Sequence, residues 1–232
     1  MTTLQQAWLD PEVLARHSDY QVLLMTAENL AGGPSDDASN AALEAAESHA
    51  RSLLSTTALD QIPHVARWRE AYRSFGVKPR QARSSVESLL RRASDGLPRI
   101  DRLTDIYNAV SVLHLMPVGG EDLEAYVGPP RLVVATGDEP FDTVANGEPV
   151  NEPPAPGEIV WRDDLGVTCR RWNWRQCTRT RLTPSTKNAL FIFDGLAPSG
   201  ATQLREAAED LAGRFDEASF ASRILGLDMD RP

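Results

Sequence analysis

A chain of 232 residues, 41% of them hydrophobic and with a formal net charge of −9, can bury the core of one large domain or of two small ones folding as a unit. At first sight its acidity argues against nucleic acid. No apolar run approaches the roughly 20 residues of a bilayer span, the amino terminus lacks the basic start and apolar stretch of a signal peptide, and two cysteines with four scattered histidines make no zinc pattern, so a soluble cytoplasmic protein with free thiols, no metal and no cofactor is expected.

In chain order, a short helix is expected around Pro11 to His17, and the apolar run from Tyr20 to Ala27 reads as a buried strand ended by Gly32-Gly33-Pro34. Ser35 or Asp36 caps a long alanine-rich helix from about Ala38 to Leu54. Pro63 opens another, with Val65, Trp68, Ala71, Tyr72 and Phe75 at helical spacing and Gly76 closing it, which makes Trp68 and Tyr72 core residues. A basic loop follows, Gly76 to Ser85, holding Lys78, Arg80 and Arg83 and ending in serines that cap a helix over Val86 to Arg92. Ser84 at such a helix start, beside those cations, is a candidate phosphate seat, although serine caps are common to most helices. The helix from about Leu103 to Leu115 is apolar on one side and stops at Pro117. Asn108 inside it is exposed, satisfies a buried partner, or faces a ligand.

The second half turns to strands. Val118-Gly119-Gly120 with Glu121-Asp122 reads as a turn, Arg131 to Thr136 as a strand, and Gly137-Asp138-Glu139-Pro140-Phe141 as a polar corner. Pro149, Pro153, Pro154 and Pro156 read as an extended connection, followed by strands at Glu158–Trp161, Val167–Trp174 and Leu190–Phe193. A helix from about Ala201 to Glu217, capped by Ser199, closes the chain. Early helices and late strands indicate an α+β fold rather than alternating βαβ units, with no internal repeat or low-complexity tract.

The densest chemistry lies in Cys169-Arg170-Arg171-Trp172-Asn173-Trp174-Arg175-Gln176-Cys177. Read as a strand, it puts Arg171, Asn173 and Arg175 on one face and Arg170, Trp172, Trp174 and Gln176 on the other. Planar donors beside aromatic rings suit phosphate, nucleobase or carboxylate recognition, while buried tryptophans under solvated arginine stems would look the same. On this reading Trp172 carries stability, whereas Asn173 and Arg175 are dispensable for folding and matter for a ligand. The charge is also unevenly spread: residues 67–102 hold ten Lys and Arg against four acids, and residues 162–187 hold seven against two. Two basic windows in an acidic body suit a grip on one polyanion, or two solvated arginine-rich surfaces.

Several ordered blocks resemble a known family. They are Ser84-Ser85-Val86-Glu87-Ser88-Leu89-Leu90-Arg91-Arg92, Gly96-Leu97-Pro98-Arg99-Ile100-Asp101, Leu103 to Val110, Val133-Val134-Ala135 with Gly137 and Glu139, Ile159-Val160-Trp161 with Asp163, and Leu182 to Leu190. Together, over about residues 75–196, they are similar to the B3/B4 domain, the tRNA-editing module of the phenylalanyl-tRNA synthetase beta subunit. The whole chain looks like a free-standing member forming a single domain, with helices around a mixed β-sheet or sandwich core. The resemblance implies hydrolysis of a wrong amino acid from the 3′ end of tRNA. The module's site asparagine is matched by Asn108. Its pocket histidine falls on Gly119, its pocket glutamate near Ile192, and its alanine-glycine pair on Trp172 and Asn173, so the scaffold carries over and the synthetase's amino-acid specificity does not.

An aminoacyl ester is already activated, so a site that positions water and stabilises an oxyanion suffices without a covalent nucleophile. The expected catalytic set is Asn108 and Asn173 as positioning amides, Arg175 as an oxyanion or phosphate partner, and Glu139 as base or ammonium anchor. The expected substrate and tRNA contacts are Lys78, Arg80, Arg83, Ser84, Asp138, Arg171, Trp172, Trp174 and Gln176. For Asp138 and Glu139 the alternative is a pair of turn carboxylates capping backbone N–H groups. The function expected is a trans-acting aminoacyl-tRNA deacylase. The rivals are a non-catalytic tRNA-binding module and a small-molecule amino-acid-binding protein.

Overall fold

The computed structural model describes residues 3–226; Met1 and Thr2, part of the amino-terminal stretch considered above, and residues 227–232 lie outside it. The first half runs α1 (Thr3–Gln6), β1 (Trp8–Leu9), α2 (Pro11–Arg16), β2 (Gln21–Glu28), α3 (Asp37–Thr56), α4 (Pro63–Ser74), α5 (Ser85–Arg92) and α6 (Arg102–Leu113). The second runs β3 (Val118–Asp122), β4 (Arg131–Val134), β5 (Asp142–Ala145), β6 (Glu148–Asn151), β7 (Ile159–Arg162), β8 (Val167–Arg170), β9 (Arg175–Gln176), β10 (Ala189–Gly195), α7 (Ala201–Ala212) and β11 (Ser219–Leu225). This is an α+β fold, as the distribution of helix and strand signals indicates.

An antiparallel four-stranded sheet, ordered β11-β2-β10-β3, is the centre of the molecule. The run through β2 is apolar without a break because both faces of that sheet are covered. Leu23, Met25 and Ala27 with Phe191 and Phe193 meet Leu103, Ile106 and Val110 of α6 and Leu204 and Leu211 of α7. On the other face, Val22, Leu24, Leu190 and Ile192 meet Trp68 and Tyr72 of α4 and Leu132, Ile159, Trp161 and Trp172. Most of the latter group belong to a five-stranded sheet ordered β1-β4-β7-β8-β9, in which only β1 and β4 run parallel. Each large apolar side chain so buried contributes about 1.5–3 kcal/mol.

Local chemistry fixes the element ends. Asp36 caps α3 reciprocally with Ser39, accepting from its backbone N–H at 2.8 Å while Ser39 Oγ accepts from the Asp36 N–H. Ser84 Oγ accepts from the Glu87 N–H at the head of α5, and Asp101 does the same for Thr104 at the head of α6.

Four expectations are corrected. Val118 to Asp122 is a strand, not a turn, paired with β10 through Gly119↔Ile192 and Glu121↔Leu190. Its glycine serves close approach: a Cβ on Gly120 would lie 2.6 Å from Leu182 and 3.0 Å from Tyr107. Pro149 is not in a bare connection but in β6, which pairs with β5 as a hairpin. Asn146 and Gly147, at φ 53° and 86°, form its turn, and Asn-Gly is the pair that a two-residue hairpin loop favours. The last helix ends at Ala212 and is capped at Gly200 rather than Ser199, and β11 follows it.

The largest correction concerns Val167–Trp174, which does not continue as one strand. β8 ends at Arg170, Arg171 and Trp172 take left-handed conformations at φ 47° and 67°, and the chain reverses into β9. Two consecutive non-glycine residues there carry strain of about 1–3 kcal/mol each. Burial of the Trp172 ring offsets it, since the indole makes edge contacts with His17, Tyr20 and Trp68 at ring-centre separations of 4.9, 4.8 and 5.3 Å.

Candidate functional site

A cavity of about 170 Å³ lies between the two large sheets. The four-stranded sheet contributes Gly119 and Glu121 from β3 and Ile192 and Asp194 from β10, alternate residues that share one face. Opposite stand Trp161 of β7, Cys169 of β8 and Arg175 and Gln176 of β9. Tyr107 and Asn108 of α6 and Ser85 of α5 close one side, and the left-handed turn supplies Trp172, Asn173 and Trp174.

The turn explains why the two-face reading of the central stretch fails. Alternation forbids Trp172, Asn173, Trp174 and Arg175 from sharing a side of a strand, but a reversal lets all four line one cavity. Asn108, Gly119, Ile192 and the Trp172-Asn173 pair, the positions singled out by resemblance, all line it too.

Asn173 is the best-held group. Its amide donates to Asp194 Oδ2 at 3.2 Å, and its carbonyl oxygen accepts from the Tyr72 hydroxyl at 3.0 Å. The other Asp194 oxygen accepts from the Tyr20 hydroxyl at 2.5 Å. Burial pushes the Asp194 carboxyl up to about 7, tempered by the Tyr20 and Asn173 bonds. Glu121, fully buried, is likewise pushed up to about 7 by burial, tempered by the neighbouring Tyr126 and Thr168 hydroxyls. Burial also raises the Cys169 thiol well above its ordinary value, which leaves it a poor nucleophile.

Several lining groups are polar, buried and without a hydrogen-bond partner in the protein: Ser85 Oγ, Glu121 Oε1 and the indole nitrogens of Trp161 and Trp172, which approach Asp194 and Tyr20 without completing a bond. Buried polar atoms are seldom left so, and their concentration around one cavity makes it the candidate ligand seat. Among the described residues no group of three His, Cys, Asp or Glu is arranged to hold a metal, and no helix is long and apolar enough to cross a membrane.

The remaining expected residues lie elsewhere. Glu139 is not in the cavity; it is buried at the corner and accepts from the backbone N–H groups of Thr136 and Gly137 at 2.8 and 2.9 Å, so it is the capping carboxylate of that turn. Asp138 is exposed beside it, bonded by the Thr136 hydroxyl. Arg171 lies outside the lining, with its guanidinium 4.2 Å from the Trp174 ring centre and 3.6 Å from Glu158. Arg175 lines the cavity but directs its guanidinium to Glu152 at 3.4 Å and the Val144 carbonyl at 3.3 Å. Gln176 donates to the Gly120 carbonyl at 2.9 Å.

The basic loop reaches the site through its end. Ser85 donates its N–H to the Asn173 carbonyl at 3.1 Å, and Arg171 touches the Gln81 carbonyl. Lys78 and Arg80 are exposed, whereas Ser84 is buried as the helix cap and Arg83 leans on Glu87 at 3.6 Å. Glu87 is buried under Arg69, Arg83 and Arg91, so the protein's own carboxylate occupies the anion seat expected at the head of α5.

Glu121, Asp194, Ser85, Tyr107 and Trp161 were not anticipated as site residues. For Asp194 a signal existed: an acid ending the apolar run Phe191-Ile192-Phe193 is costly in a buried strand unless it has partners.

A family model described as the B3/4 domain matches residues 67–219. Among solved structures, the chain is similar to an N-terminal fragment of the phenylalanyl-tRNA synthetase beta-subunit from Pyrococcus horikoshii, at 12% identity and a TM-score of 0.46, over 95% of this chain and 54% of that one. The chain therefore spans about half the length of that fragment. No curated protein matches it. With the family match covering well over half of its length, the chain belongs to the B3/4 domain family.

Proposed function

We propose that the cavity hydrolyses the ester joining an amino acid to the 3′ end of tRNA, the protein acting in trans as an aminoacyl-tRNA deacylase. The observation that carries this reading is the buried Asp194 carboxyl, raised to about 7 and held by Asn173 inside a cavity rich in unpartnered polar groups. A base poised near neutrality suits proton abstraction from water.

In the proposed step, Asp194 takes a proton as water attacks the ester carbonyl. Asn108 and Ser85 donate toward the developing oxyanion. Collapse breaks the bond to the ribose oxygen, which receives the proton from Asp194, releasing a free amino acid and uncharged tRNA. No covalent enzyme intermediate is required. Trp174, half-buried at the cavity wall, offers a face on which the terminal base can stack.

The test is release of amino acid from a panel of aminoacyl-tRNAs mischarged with each amino acid, compared between the native protein and Asp194→Asn. At least one ester is expected to be hydrolysed, with a loss of about a hundredfold or more in the variant. Hydrolysis of none of them, with retained tRNA binding in a filter assay, would leave a non-catalytic tRNA-binding module. Loss of both would favour a protein that binds small amino-acid ligands.

A further inference from the structure

The cavity contains two carboxylates, and the mechanism above uses only one. Glu121 comes from β3, two residues along the same face from Gly119, and is fully buried. One of its oxygens accepts from the Tyr126 hydroxyl, which also lies 3.4 Å from Thr168 Oγ1. The other, Oε1, completes no hydrogen bond in the protein, although the Thr168 hydroxyl lies close enough to the carboxyl to favour its charged form.

Among the described residues no cation is paired with it, and Arg179 acts on it only through space. Arg175 is the basic residue of the lining, and its guanidinium is turned to Glu152 and the Val144 carbonyl. Arg179 is committed to Asp163 by two bonds of 2.9 Å and to the Ala125 carbonyl. A buried carboxylate with one oxygen unused and no directly paired counter-charge is costly unless a ligand brings a donor to it.

We infer that Glu121 is the anchor for a primary ammonium group of the ligand, received at Oε1 within the cavity. The assignment rests on the cavity being the seat of an aminoacyl group. An ammonium is compact, carries three donors, and restores both the missing hydrogen bond and the missing charge. Two parts of an aminoacyl end can supply it: the α-amino group, or the side chain of a basic amino acid.

The test uses non-hydrolysable 3′-amide analogues of aminoacyl-adenosine, carrying phenylalanyl, lysyl or N-acetyl-phenylalanyl groups, in titration calorimetry at about pH 8. If the α-amino group is the source, the phenylalanyl and lysyl analogues bind alike and the acetylated one at least about tenfold more weakly. If the side chain is the source, the lysyl analogue binds at least about tenfold more tightly than the other two. In either case Glu121→Gln should erase the difference. The amide is isosteric and its oxygen can still accept from Tyr126, so the variant is expected to fold. Should it not, the comparison of the three analogues on the native protein decides alone.

Equal affinity for all three analogues, binding of none, or a preference that survives Glu121→Gln would overturn the ammonium site. The deacylase reading fails separately. Its failure is seen when the esters are not hydrolysed although the analogues still discriminate as described. Ester hydrolysis by the native protein, with no discrimination among the analogues by that same protein, removes the anchor and leaves the reaction.

Discussion

The raised Asp194 carboxyl bears on stability as well as on the proposed chemistry. A carboxyl whose pKa is raised on folding stays protonated over a range in which the unfolded chain has already released its proton. Between its ordinary value, near 4, and the folded value of about 7 the native state holds more protons, so stability falls as pH rises through that window. A tenfold change in proton affinity is worth about 1.4 kcal/mol, which places the Asp194 contribution at up to a few kcal/mol. Asp194→Asn is therefore expected to flatten the decline in Tm between about pH 5 and 8, with its relative gain largest at the alkaline end. Melts that keep the native slope in this variant would show that the proton resides elsewhere, Glu121 being the other group so raised. Asn173 belongs to the same network. Reading the stretch as a strand makes it dispensable for folding, but its bonds to Asp194 and Tyr72 are buried, and Asn173→Ala is expected to cost about 1–3 kcal/mol in addition to any loss of activity. Trp172→Ala should cost more, about 3–5 kcal/mol, because a whole buried indole is removed. Arg175→Ala, which breaks a half-exposed pair with Glu152, should change melting by less than about 1 kcal/mol. Equal shifts in Tm for these three variants, by thermal denaturation, would refute this ranking.

At the scale of elements, α5 depends on the carboxylate near its own head. Glu87 is buried, bonded twice by Arg69 at 3.0 and 2.8 Å and once by Arg91 at 3.0 Å. Removing it leaves guanidinium groups packed together without an anion, so Glu87→Ala is expected to cost about 3–5 kcal/mol, measured by urea unfolding. A change below about 1 kcal/mol would mean that the arginines relax into solvent. The same cluster shows what sequence could and could not convey. Helices α2 to α6 were legible because caps, prolines and apolar spacing are local signals, and β2 and β10 because both-face burial writes an unbroken apolar run. The glycines of β3 were misleading, since Gly120 answers to Leu182, Tyr107 and Phe191, residues distant in the chain. The reversal at Arg171 and Trp172 was invisible for a similar reason: neither residue favours a left-handed backbone, and the fit of one indole among three rings overrides that preference. Composition thus singles out the stretch that lines the cavity, while its geometry, and with it the places of Asp194 and Glu121, depends on tertiary pairing.

Over the whole molecule, the distribution of charge limits how this acidic protein can hold a polyanion. Many of the basic side chains in the two arginine-rich windows are already used: Arg67 pairs with Asp19, Arg69, Arg83 and Arg91 with Glu87, Arg99 with Glu47, Arg102 with Asp36, Arg170 with Glu158 and Arg179 with Asp163. Among the described residues of these windows, Arg73, Lys78, Arg80, Arg92, Arg181 and Lys187 are exposed and in no ion pair. Lys78 and Arg80 sit on the loop leading into Ser85, which opens α5 and lines the cavity, so under the proposed function they are the candidates to meet phosphates next to a bound 3′ end. Each phosphate contact to a single strand contributes about 0.7 to the slope of log affinity against log salt. Replacing Lys78 and Arg80 together by alanine is expected to flatten that slope by about 1.4 in filter binding, for every tRNA alike. Arg83→Ala should leave it unchanged, because that guanidinium, although partly exposed, is paired with Glu87. An unaltered slope in the double variant would remove the loop from the footprint. A slope that falls with Arg83→Ala instead would mean that tRNA displaces Glu87 and that the head of α5 opens to receive a phosphate.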